Sequence, residues 1–75
     1  MTATNLRRRI ATLSEREASI LVLFGAGLTM QEVADECGIV KGTARSHALN
    51  IRRKLGARNT AHATAMFFYV CGRAP

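Results

Sequence analysis

Arg45 and Asn50 stand in a stretch, Gly38 to Asn59, that holds seven Lys, Arg or His side chains and no Asp or Glu. Arginine pairs bidentately with guanine in the major groove of B-DNA, and asparagine pairs likewise with adenine. Just beyond them, Arg52, Arg53 and Lys54 form a cationic cluster suited to phosphates, which hold a protein in register without reading sequence. These residue types at these positions point to a duplex nucleic acid, provided that a helix presents them together.

The flanking apolar residues supply that helix. Ala44, Ala48, Ile51 and Leu55 recur at four, three and four residues, the spacing of one packed helix face. The opposite side then carries Gly42, Ser46, Leu49, Asn50 and Arg53, with Thr43 and Arg45 on its shoulders. His47 lies beside the apolar stripe and reads as packed or near a phosphate, not as a ligand or catalyst. Leu49 is either a plain exposed leucine or an apolar contact to a thymine methyl, and Ser46 is a small spacer with room for a phosphate bond. A recognition helix over about residues 41–55 follows.

Four further signals position it. Ser14 with Glu17 and Thr29 with Glu32 are capping boxes, each opening a helix. The first helix runs from about Glu15 to Ala26, with Ile20, Leu21, Leu23 and Phe24 inward; the second carries Val33, Ala34 and Cys37 and stops at Gly38. Only Ile39 and Val40 separate it from the next helix, and a short glycine-containing turn between two helices is a helix-turn-helix arrangement. A last helix spans about Ala61 to Cys71, with Asn59 or Thr60 as its cap. Residues 1–12, with Arg7, Arg8 and Arg9 in a row, are a basic arm or a short helical turn. Residues 13–75 form one domain.

Composition agrees. A chain of 75 residues is near the lower limit for an unaided core, so an added partner surface is expected. The net charge of +6 and pI near 10.8 favour a polyanion. All five acids lie in the first half, so the charge is segregated and not merely high. Cys37 and Cys71 are too few and too far apart for a metal site or a disulfide framework. Free thiols and no apolar leader suit a reducing cytoplasm, and no segment is long enough to span a bilayer. No cofactor, metal or small-molecule ligand is implied. An enzyme is not expected, since no carboxylate pair faces a His or Cys.

The stretch from Leu13 to Ala65 resembles the LuxR/NarL-type, or GerE-type, helix-turn-helix DNA-binding domain. The resemblance rests on Leu13, Ser14-x-x-Glu17, Gly27-Leu28-Thr29, Glu32, Ala34, Gly38-Ile39, Thr43, His47, Asn50-Ile51, Lys54-Leu55-Gly56, Arg58-Asn59 and Ala63, in order and without gaps. It implies an all-α fold: four helices, comprising a tri-helical helix-turn-helix core and a C-terminal dimerisation helix. It implies a homodimeric, sequence-specific transcriptional regulator on double-stranded DNA. By that resemblance base contacts would come from Arg45, Ser46 and Leu49, and the outward face read above adds Thr43 and Asn50. Phosphate contacts would come from Thr29 at the start of one helix and from Lys41, His47, Arg52, Arg53, Lys54 and Arg58 along and beyond the next.

The sequence departs from the family pattern in three ways. Val40 stands where a Ser or Thr cap is usual, and Gly42 weakens the following turn; a missing cap costs about 0.5–2 kcal/mol. Leu49 replaces a residue that is commonly polar, so an unusual site preference is expected. The domain is also expected to stand alone, like the small spore-coat regulators, where most members carry a receiver or autoinducer-binding domain.

Met66, Phe67, Phe68, Tyr69 and Val70 give the last helix more apolar surface than a small monomer covers. Met66 and Val70 close the core and at least one aromatic looks outward, which suggests a homodimer interface. Two alternatives share the sequence features. One is a protein-interaction module that docks on another regulator or an RNA polymerase subunit. The other is promoter binding of the kind made by region four of extracytoplasmic sigma factors, which Gly42 to Ser46 also resemble.

Overall fold

Five helices form, and each boundary has a local chemical cause. The computed structural model describes residues 2–72 and places α1 at Ala3–Ala11, α2 at Glu15–Gly25, α3 at Met30–Cys37, α4 at Lys41–Leu55 and α5 at Thr60–Cys71. Ser14 and Thr29 open α2 and α3 through complete capping boxes: each hydroxyl accepts from the amide three residues on, and the Glu there accepts from the cap's own amide. Asn59 opens α5, its side chain accepting from the His62 amide at 2.8 Å. No strand is present among the described residues.

The turn from α3 to α4 needs a left-handed residue, and Gly38 supplies it at φ 67°. The Ile39 amide then reaches back to the Ala34 carbonyl at 3.0 Å, closing α3 in a Schellman motif. Gly56 ends α4 the same way, at φ 66°, with the Ala57 amide on the Arg52 carbonyl. An L-residue at either position would meet the left-handed penalty, about 1–2 kcal/mol.

Residues 1–12, left open between an arm and a turn, contain a nine-residue helix, so the expected four helices become five. Thr2 caps α1 by accepting from the Asn5 amide. Leu6 and Ile10, four residues apart, and Leu13 beyond them pack on the core from outside. No residue of α1 is itself buried.

That core comprises Ile20, Leu21, Val33, Ile51, Leu55, Ala63, Met66 and Phe67. Ala34, Ala44 and Ala48 are also buried; their small side chains let α3 and α4 lie close together. The predicted stripe Ala44, Ala48, Ile51 and Leu55 is entirely inward. Cys37 is half-buried against the core and Cys71 is exposed, and both are free thiols.

Gly25 of α2 lies directly against the Phe68 side chain of α5. A methyl group there would overlap the Phe68 ring. Gly25→Ala is therefore expected to destabilise by about 1 kcal/mol: overpacking costs about 1–3 kcal/mol, partly offset by a helix-propensity gain of about 0.8–1 kcal/mol. Chemical denaturation checks this, and Gly25→Ala/Phe68→Leu should recover part of the loss.

Candidate nucleic-acid interface

Helix α4 is held by its inner stripe, which leaves its far side unengaged. Thr43, Arg45, Ser46, Leu49, Asn50 and Arg53 are all exposed, Leu49 to 40%. Among the described residues none of their side chains hydrogen-bonds to the rest of the domain, and none is in an ion pair. The five sequence-predicted base-reading residues thus share one open face. An arginine fork, an amide and a hydroxyl point from it without an internal partner to compete.

The predicted phosphate contacts divide into two groups. Lys41, Arg53 and Arg58 are exposed at the two ends of α4. Thr29 is exposed too, but its hydroxyl accepts from the Glu32 amide and its own amide is taken by the Glu32 carboxylate. His47 is half-buried beside the stripe. Arg52 is half-buried and Nη2 donates to the Arg58 carbonyl at 2.9 Å, pinning the loop between α4 and α5. Its buried Nε has no partner among the described residues.

Lys54 is the most committed of the set. Its Nζ lies 2.7 Å from Glu17 Oε1 and also donates to the Thr12 carbonyl at 3.2 Å. The lysine side chain is 40% exposed and the glutamate side chain only 8%. Burial is the largest single influence on Glu17 and pushes its carboxyl up. The Lys54 hydrogen bond and charge together with the Ser14 amide outweigh it, and the group sits below its ordinary value. Lys54 is thus a cross-brace between α4 and the start of α2.

Two long-range bonds escaped the sequence reading. Glu17 was visible as half of a capping box, but its second partner lies 37 residues away in sequence. Arg16 Nη1 donates to the Cys37 carbonyl at 3.3 Å, fastening α2 to the end of α3 where the turn begins. Neither long-range bond leaves a periodic trace.

Val40 is extended at φ −77° and ψ 156°, the geometry of a capping residue, and makes no side-chain cap. It is 70% exposed, so a polar replacement buries nothing. Val40→Ser is expected to stabilise the domain by about 1 kcal/mol, a rise in melting temperature of about 4–8 °C for a domain this size, readable by circular dichroism.

The surface of α5 needs correction. Met66 and Phe67 are core residues, 8% and 7% exposed, and are not available to a second subunit. Phe68 is half-buried, set edge-on to Phe67 with ring centroids 5.2 Å apart and pressed on Gly25. Val70 is half-buried and lies outside the core cluster, so it does not close the core beside Met66. The physical reason is that α2, α4 and α1 all pack on α5 and take up its apolar side. Tyr69 alone of the five is strongly exposed, at 75%.

No described helix is long and apolar enough to cross a membrane. No solved structure matches the chain. Among curated proteins, the transcriptional regulatory protein MctR of Rhizobium johnstonii is 43% identical over 49 residues, covering 65% of this chain and 23% of that protein. The transcriptional regulatory protein FixJ of Rhizobium meliloti is 34% identical over 64 residues, 85% of this chain and 31% of that one. The transcriptional regulatory protein LnrK of Bacillus subtilis is 39% identical over 51 residues, 68% of this chain and 23% of that one. The chain thus spans less than a third of the length of these relatives.

The family model described as bacterial regulatory proteins, luxR family, matches residues 11–67. Membership in a family of regulators also accounts for the expectation that the chain is not an enzyme. The order of capped helices, the Gly38 turn and the outward face of α4 are the architecture of that matched segment: the chain belongs to the luxR family of bacterial regulatory proteins and carries its helix-turn-helix domain.

Proposed function

We propose that the chain binds double-stranded DNA sequence-specifically and regulates transcription, with α4 in the major groove. The observation that carries this reading is the exposed side of α4, where Arg45 and Asn50 stand free of internal bonds on a helix anchored by four buried residues. Arg45 reads a guanine and Asn50 an adenine, while Ser46 and Thr43 allow close approach and Leu49 lies against a thymine methyl. Lys41, Arg53 and Arg58 engage phosphates on either flank, with Lys54, Arg52, His47 and Thr29 as weaker contributors already engaged in the fold.

The proposed assembly is a homodimer through the exposed side of α5, where Ala61, Ala65 and Tyr69 recur every four residues. Selection of bound duplexes from random DNA tests both statements together. Enrichment of paired half-sites at a fixed spacing supports them. A single half-site removes the dimer, and no enrichment at low salt removes DNA binding and leaves the protein-interaction alternative.

A further inference from the structure

All but the last residue of α1 precedes the segment that matches the family, and no contact proposed above uses this helix. It carries three consecutive exposed arginines, Arg7, Arg8 and Arg9. The one ion pair among the described residues is Lys54 with Glu17, so none of the three has a carboxylate partner there. They are not equivalent, because α1 docks through Leu6 and Ile10. At about 100° per residue, Arg9 lies about 80° to one side of that docked line, Arg7 about 80° to the other, and Arg8 opposite it.

Arg9 is the one that meets α4. Its Nη1 stands 2.5 Å from the place a Cβ on Gly56 would occupy. The same end of α1 is also tied to α4 by Lys54, which donates to the Thr12 carbonyl. The last carbonyls of α4 are already used by backbone: Arg52 and Arg53 accept from Ala57 and Gly56 amides. Arg9 donates to none of them, so its guanidinium lies beside the end of α4 and gives no hydrogen bond among the described residues. Arg53, exposed on the outward face, is three residues before Gly56.

We infer that Arg9 is a phosphate-binding residue that carries the DNA-backbone contact from the end of α4 onto α1. This rests on the DNA-binding reading above. A planar fork with five donors suits a phosphate, and two-point attachment of α1 limits the ordering cost of presenting it. Arg7 lies on the other side of the docked line, about 160° around α1 from Arg9, and serves as the internal control.

The experiment measures anisotropy of a labelled random-sequence duplex over a salt series, with melting temperatures beside it. Arg9→Gln is expected to lower the slope of log K against log[salt] by about 0.9, the effect of one phosphate contact. Arg9→Lys should restore the slope, and Arg7→Gln should leave it unchanged. Preference for a selected site over random DNA should not move with any of the three. An unchanged slope in Arg9→Gln overturns the inference, and a lowered melting temperature beside it assigns the residue to support of α4 instead. An equal loss in Arg7→Gln overturns it also, since the effect would be bulk charge. If the unmodified chain binds no duplex at low salt, the failure lies in the DNA-binding reading itself.

Discussion

Glu17→Ala should lower the melting temperature by about 8–16 °C, an expected loss of about 2 kcal/mol in a domain where each kcal/mol shifts it by about 4–8 °C. Two contacts go at once: the bond to the Ser14 amide that completes a capping box, and the ion pair with Lys54. Breaking a fully buried pair costs about 3–5 kcal/mol; Lys54 is partly hydrated, which brings the figure down. Lys54→Met should cost as much or more, because it strands the less exposed member of the pair. The double variant should fall well short of the sum, and that shortfall measures the coupling.

The same carboxylate gives a pH signature. Its folded-state value lies below the ordinary one, so its stabilising contribution is complete above the ordinary glutamate range. The contribution is then lost as pH falls through the depressed value. Glu32, lowered by the Thr29 amide and hydroxyl, acts in the same direction. Melting temperature should therefore hold steady above the ordinary glutamate range and decline below it, and Glu17→Ala should show a shallower decline. A decline of equal steepness in the variant would place the acid sensitivity elsewhere.

Arg45→Ala should relax base preference at one position of the selected site by about 1–3 kcal/mol, or about 5- to 150-fold, while binding to random duplex weakens only by one lost charge. Arg53→Ala should do the opposite, weakening all sequences alike and reducing the salt slope by about 0.9. Lys54→Ala does not qualify as a clean phosphate probe, since it removes the brace on Glu17 along with the charge. Competition anisotropy with selected and mismatched duplexes separates these outcomes. If Arg45→Ala leaves the mismatch penalty intact, α4 does not read that base through this side chain.

Helices α2, α3 and α4 were legible in the sequence because their signals are local. Capping boxes at Ser14 and Thr29 and glycines at 38 and 56 set their boundaries, and Ala44, Ala48, Ile51 and Leu55 set which side of α4 packs. The outward face followed by subtraction. What escaped was the information carried by contact between distant segments. Leu6, Ile10 and Leu13 have helical spacing, yet three arginines in a row disguised a docking helix as an arm. Once α1, α2 and α4 are in place around α5, Met66 and Phe67 are buried in a way that no inspection of residues 61–71 alone reveals. Five apolar residues in succession define no side of a helix, so only the neighbours could decide which turned inward. Lys54 and Glu17 show the same limit from the polar side: each was assigned a role from its own surroundings, and the bond between them altered both.

The five outward positions of α4 make no side-chain hydrogen bond or ion pair with the rest of the domain among the described residues, and this separates two properties that are usually entangled. Substitution at 43, 45, 46, 49 or 50 can retarget the domain to other sites while leaving folding energetics nearly unaltered. Residues 44, 48, 51 and 55 carry the opposite constraint, tolerating little change whatever site is bound. A lineage built on this scaffold is free to diversify its vocabulary faster than its frame.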